Sequence, residues 1–261
     1  MRKILVRFTL LLLLVSACCA GWVYRSQIVA LVEGLIDSPT SSDPAPDPAP
    51  DPQTYSVLSE DLEEHRKRLG RNYLRTTNKT ERTEILAQAR ELLELSLPRL
   101  MRCWLGTPWD FNGTAHEPGA GKVACGYFVS SVLQDAGFRV EWAPLAQQAS
   151  QNILGTFLPP EDMRIRVGTD YGQFLSEVVS RGNGVYIVGL DSHVAFLVVT
   201  DGGEIRFIHS SGASPYCVVE ESREDARVLR SSNYRVTGNL TASKEVIRDW
   251  LLGAKFKTRK L

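Results

Sequence analysis

The chain has 261 residues, enough for one or two domains, and 43% of them are hydrophobic, enough for a sizeable core. Its 30 Lys and Arg balance 30 Asp and Glu, and the part beyond Gln53 is itself nearly neutral. That balance gives no electrostatic case for nucleic acid as a partner.

Residues 1–20, MRKILVRFTLLLLLVSACCA, combine a basic start, an apolar run and small residues, the chemistry of a secretory signal, and are set aside from the fold. Val15-Ser16-Ala17-Cys18 resembles the lipobox of bacterial lipoproteins, which implies lipid attachment at Cys18. The other reading is an uncleaved signal anchor over Phe8–Tyr24, at the lower limit of a spanning helix, ~17 residues. The apolar continuation GWVYRSQIVALVEGLI fits that reading. Under either, the folded part is expected outside the cytoplasm, in the periplasm or on the cell-envelope face, tethered to a membrane. Residues 21–53 are a membrane-proximal segment and spacer, in which DPAPDPAPDP favours extended polyproline II and reaches ~30 Å at about 3.1 Å per residue. The remaining residues, 54–261, form the candidate domain.

The charged stretch 59–75 predicts a surface helix, with His65 a solvated side chain. Asn78-Lys79-Thr80-Glu81 has the shape of a capping box, and Ile85, Leu86, Ala89, Leu92, Leu93 and Leu97 follow at helical spacing. Pro98 is expected to kink or restart that helix, and Gly106 and Pro108 to end it. After Cys125, the residues Phe128, Val129, Val132, Leu133 and Ala136 make one helical face, which Gly137 stops. A short helix is predicted over 145–153 and another over 171–180. The period then changes to that of strands at 184–189, 193–199 and 204–209, with further strands at 216–220 and 234–240 and a closing helix at 242–252. Helices first and antiparallel strands afterwards predict an α+β fold, N-terminal helices packed on a central antiparallel sheet.

Cys125 stands where a Gly-rich loop becomes a helix. Unpaired N–H groups and the positive end of the helix dipole favour thiolate there, and thiolate is the nucleophile. A nucleophilic cysteine needs a base and an orienter for that base. His193 opens one strand and His209 closes the next. A three-residue loop Asp201-Gly202-Gly203 with Gly203 left-handed would set Thr200 opposite Glu204 and Ala195 opposite His209. Both imidazoles would then project from one face as diagonal neighbours, ~7–8 Å apart at the backbone. A two-residue loop would put them on opposite faces. Asp191 is a second candidate orienter. No C-x-x-C or H-x-x-x-H spacing suggests zinc. Outside the leader, Cys103, Cys125 and Cys217 are odd in number for an oxidising compartment. If two of them pair, Cys103 with Cys217 leaves Cys125 free; burial of both as thiols is the other reading.

These pieces resemble the NlpC-type papain-like endopeptidases of the bacterial cell wall. In that family a G-T-P-Y-x-W-G-G loop precedes a D-C-S-G-F-V helix, and an H-V-G-I-Y-x-G strand precedes one ending I-H-A. The counterparts are Gly106-Thr107-Pro108-Trp109-Asp110-Phe111-Asn112-Gly113, Ala124-Cys125-Gly126-Tyr127-Phe128-Val129, His193-Val194-Ala195-Phe196-Leu197-Val198 and Ile208-His209-Ser210. The resemblance spans roughly half the chain. It implies a papain-like NlpC-type fold, Cys125 as nucleophile, His193 as general base and His209 as orienter. Peptidoglycan stem peptides or another cell-envelope peptide would be the substrate, cut beside D-amino acids with no cofactor and no metal. Trp109, Asp110, Tyr127 and, on the cleft rim, His116 are the candidate substrate-binding residues. The chain departs from the family at Trp109, where the family has Tyr, and at Ala124, Gly126 and Tyr127, in place of Asp, Ser and Gly. The backbone N–H of Cys125 remains available to an oxyanion hole. Two other readings accompany these departures: a non-catalytic envelope-binding module, and a different acyl-transfer reaction such as deamidation.

Overall fold

The computed structural model of the protein describes residues 48–260, so the leader with Cys18 and the spacer as far as Asp47 lie outside the described residues. Helix α1 spans Pro52–Arg75 and begins seven residues before its predicted start at 59. The cause is local. Asp51 caps it by accepting the Thr54 N–H at 3.0 Å, and Pro52 is set for the first helical position. The last Asp-Pro of the spacer thus belongs to the folded unit, to which the Asp51 N–H is tied by the Cys103 carbonyl at 2.8 Å.

Helix α2, Lys79–Arg102, is capped by Asn78, whose side chain accepts the N–H groups of Thr80 and Glu81. It runs unbroken through Pro98, contrary to the predicted kink or restart. Leu93, Leu97, Leu100 and Met101, all fully buried, hold both sides of the proline in one packed face. That packing offsets the lost N–H, whose cost alone is about 3 kcal/mol. Helix α3, Cys125–Asp135, ends where expected: Gly137 takes φ 90° and the Phe138 N–H reaches back to the Leu133 carbonyl at 3.1 Å. The predicted helix at 145–153 is two short ones, α4 (Trp142–Ala146) and α5 (Ser150–Phe157).

The sheet has six strands, β1 (Met163–Val167), β2 (Gly184–Leu190), β3 (Val194–Val199), β4 (Ile205–Ser210), β5 (Val218–Ser222) and β6 (Tyr234–Asn239). They lie in the order β1-β6-β2-β3-β4-β5, and every pairing is antiparallel. Strand β1, MRIRV, was not predicted; it is an edge strand that owes its existence to pairing with β6, Ile165 opposite Val236.

One face of the sheet carries α1, α2, α3, α5 and α8 (Lys244–Leu251), whose apolar side chains meet Val185, Ile187, Val194, Phe196 and Ile208. The opposite face carries α6 (Tyr171–Ser180) and α7 (Arg227–Ser231), packed through Phe174, Leu175, Val178 and Leu229 on Tyr186, Leu197 and Phe207. Strands β2 and β3 are therefore buried on both sides and read as unbroken apolar runs. An edge-to-face series of rings, Trp104 on Phe128 at 5.8 Å and Phe128 on Phe196 at 5.9 Å, fixes α3 against β3. The described residues form one compact α+β unit, and no helix among them is long and apolar enough to cross a membrane.

Candidate active site

The loop before Cys125 is pinned to the edge of the sheet. The Gly106 N–H donates to the Val218 carbonyl and the Val218 N–H to the Thr107 carbonyl, each at 2.9 Å, and the Trp109 N–H donates to Tyr216 at 2.7 Å. Gly106 is glycine by necessity: φ is 79° and a Cβ would lie 2.3 Å from the Pro48 carbonyl oxygen. Farther along, Ala124 remains extended, the Ser210 hydroxyl donates to the Val123 carbonyl at 2.7 Å, and Cys125 becomes the first residue of α3. A Cβ on Gly126 would lie 2.1 Å from the Ala146 carbonyl oxygen, so only glycine lets α4 close over the start of α3.

The helix start does not lower the Cys125 pKa as the sequence led us to expect. Burial dominates and pushes the thiol up, although the N–H groups of Val194, Gly126 and Cys125 itself favour the anion. The thiol is accordingly protonated at neutral pH. Cys103 is likewise pushed up, to about 11, by burial; among the described residues the thiols of Cys103, Cys125 and Cys217 are all unpaired.

The histidines meet as the predicted loop requires. The Thr200 N–H donates to Glu204 at 3.0 Å, Gly203 takes φ 73°, and Val199 pairs with Ile205 and Phe196 with Ile208. His193 and His209 consequently share one face, and His193 Nε2 lies 2.9 Å from His209 Nδ1. A third member follows. His209 Nε2 is 3.0 Å from a carboxylate oxygen of Glu221 on β5, and His209, only 1% exposed, rests with Phe207 against its ring at 4.3 Å.

These contacts assign the tautomers. An ionised Glu221 only accepts, so His209 Nε2 carries a proton and, in the neutral ring, Nδ1 does not. His193 Nε2 must then donate to His209, which leaves the lone pair of a neutral His193 on Nδ1. Burial first, and the neighbouring His209 second, hold His193 neutral by pushing its pKa down to about 3. Glu221 was missed in the sequence because the strand was ended at Glu220. The usable signal is register: Val219 stands opposite His209, and Glu221 lies two residues on, facing the same way.

The two histidines point to the α6 and α7 face of the sheet, whereas α3 packs on the other. Thiol and imidazole come together at the sheet's end, because His193 is the residue before β3 and Cys125 is the first of α3. Both line one cleft with two basins meeting at the thiol, about 480 Å³ on the side of Gln148, Gln151, Asp191 and Tyr234, and about 820 Å³ on the side of Trp109, Phe111 and Tyr127.

The other candidates divide. Trp109 and Tyr127 line the larger basin. Asp110 and His116 are not among the residues that line either basin. The Asp110 carboxylate turns its own loop, accepting the Asn112 N–H at 2.9 Å and facing Lys122 at 3.3 Å. His116 packs on Trp142, ring centroids 4.6 Å apart, and meets Gln134 Oε1 at 2.9 Å. Asp191 lines the smaller basin, but its carboxylate accepts from the Ser232 hydroxyl and the N–H groups of Asn233 and Tyr234, so it organises a turn and does not orient His193. His65, on α1, is half-buried, with Nδ1 2.8 Å from the Asp61 carbonyl oxygen. Among the described residues no group of three His, Cys, Asp or Glu is disposed to hold a metal ion. Comparison of the chain with protein-family models, with curated proteins and with solved structures finds no match, so the chemistry of this cleft is itself the ground for a functional reading.

Proposed function

We propose that the protein is an exported, membrane-tethered thiol hydrolase of NlpC-type papain-like fold that cleaves amide bonds in peptidoglycan stem peptides. The observation that carries this reading is the hydrogen-bonded series His193, His209, Glu221 ending in the cleft that holds the Cys125 thiol. The family-like order of a cysteine at a helix start, then two histidines on adjacent antiparallel strands, supports the fold assignment. The leader and lipobox support the location.

In the resting cleft both reacting groups are neutral, so proton transfer accompanies attack. As Sγ bonds to the amide carbonyl carbon, its proton passes to Nδ1 of His193. The resulting imidazolium is held by His209 and the Glu221 carboxylate behind it. The carbonyl oxygen takes the negative charge near the Cys125 N–H. Collapse breaks the C–N bond while Nδ1–H protonates the departing amine. His193 then takes a proton from water as its oxygen adds to the thioester carbonyl, and collapse breaks the C–S bond, releases the acid and returns the proton from Nδ1 to Sγ.

Purified protein with Cys125 replaced by Ala, its fold verified by circular dichroism, should release no products from muropeptides that the unsubstituted protein cuts. Turnover equal to that of the parent would sink the proposal. One observation favours the second reading, a binding module on the same scaffold: the thiol pKa is raised, not lowered. Under that reading muropeptides bind the cleft and no product forms with either protein.

A further inference from the structure

We propose that the larger basin is a saccharide subsite that stacks an uncharged sugar ring of the substrate next to the scissile bond. This rests on the hydrolase reading above and names the part of a glycopeptide that the cleft holds. Phe111 is 80% exposed on the basin rim, in a loop whose backbone is pinned by the Asp110 carboxylate and by the Gly113 N–H on the Asp110 carbonyl at 3.0 Å. With Trp109 and Tyr127 on the same basin, Phe111 makes one of three aromatic side chains gathered beside the thiol, and a grouped apolar surface of this kind marks a contact site. Trp109 forms the adjoining wall and is fixed as well. Its N–H is bonded to Tyr216, and its indole lies so close to Gly212 that a Cβ there would come within 2.9 Å of the ring.

Around these rings the basin offers neutral hydrogen-bonding groups, the side chains of Asn112, Gln147 and Gln148, with Gln147 donating to the Tyr127 hydroxyl at 2.9 Å. Among the described residues its lining contains no Lys, Arg, Asp or Glu. An anionic ligand would find no counter-charge there. An acyl chain would cover the amides and leave them unpaired, which is unfavourable. A pyranose fits both properties, since one face of C–H groups stacks on an aromatic ring and its equatorial hydroxyl and acetamido groups meet amides.

The test uses the whole chain with Cys125→Ala and the neutral probe N,N′,N″-triacetylchitotriose, followed by chemical shifts of the tryptophan indoles. Saturable shifts at Trp109 are expected, with affinity about threefold to tenfold weaker when Phe111→Ala is added. In the active protein, the ratio of kcat/KM for a muramyl-linked stem peptide to that for the free peptide should exceed one and shrink with F111A. A ratio of one together with no saccharide shift overturns the subsite and leaves the hydrolase reading standing. Displacement of the sugar signal by a neutral octanoyl amide, with the amide the tighter ligand, also overturns it. Saccharide binding at Trp109 with no cleavage of either peptide upholds the subsite and removes the hydrolase reading.

Discussion

The two sides of the cleft are built in different ways. The thiol side is local: a pinned loop, an extended Ala124 and a helix start deliver Cys125 within one stretch of chain. The imidazole side is assembled from β3, β4 and β5, with His193, His209 and Glu221 brought into line by strand register. Local geometry placed Cys125 correctly but did not set its ionisation, because burial outweighs the N–H groups at the helix start. Register, in contrast, set both the position and the tautomer of His193. The thiol's location follows from the backbone around it, whereas its protonation follows from everything packed over it.

Five experiments probe this difference between the two sides. Removing the thiol side outright with Cys125→Ala should lower muropeptide cleavage by at least about a thousandfold, measured by product release. Breaking the register of one strand on the next is nearly as severe: deletion of Arg206 leaves the loop intact but sets His209 opposite Phe196, on the other face of the sheet, and should abolish activity, with far-UV circular dichroism checking that the strands persist. If that deletion retained parental activity, register would not be what assembles the site. Phe128→Ala, which removes the ring between Trp104 and Phe196 under α3, should cost about 3–5 kcal/mol in urea unfolding.

Glu221→Gln keeps an acceptor for His209 but removes the charge that, in the proposed reaction, stabilises the imidazolium. A fall of about tenfold in kcat is expected with KM little changed, corresponding to ~1.4 kcal/mol. An unchanged kcat would show that the relay ends at His209. A further effect is on acid stability. His193 is neutral when folded and takes a proton near its usual 6.5 when unfolded, so the unfolded chain binds more protons between about 6.5 and 3. Stability should therefore decline as pH falls through that window, and the decline should be shallower in His193→Asn, as read by thermal melts at pH 7 and pH 5.

The cap of α2 by Asn78, the stop at Gly137 and the left-handed Gly203 were legible in the sequence, since each depends on neighbours a few residues away. So was the meeting of His193 and His209, because one turn carries their relation. The start of α1 was also encoded locally, in Asp51-Pro52, but was hidden inside a repeat whose other Asp-Pro pairs looked identical. Strand β1 and the unbroken α2 were not legible, because long-range pairing with β6 and burial around Pro98 create them.

The sequence carries its turn positions, helix caps and side-chain alternation locally, because steric limits and short hydrogen bonds act over one or two turns. Tertiary structure decided that Glu221 completes the histidine series, that Asp110 and His116 are not among the residues lining the cleft, and that the thiol is held protonated. Those outcomes depend on desolvation and cross-strand contact, and both are properties of residues far apart in the chain.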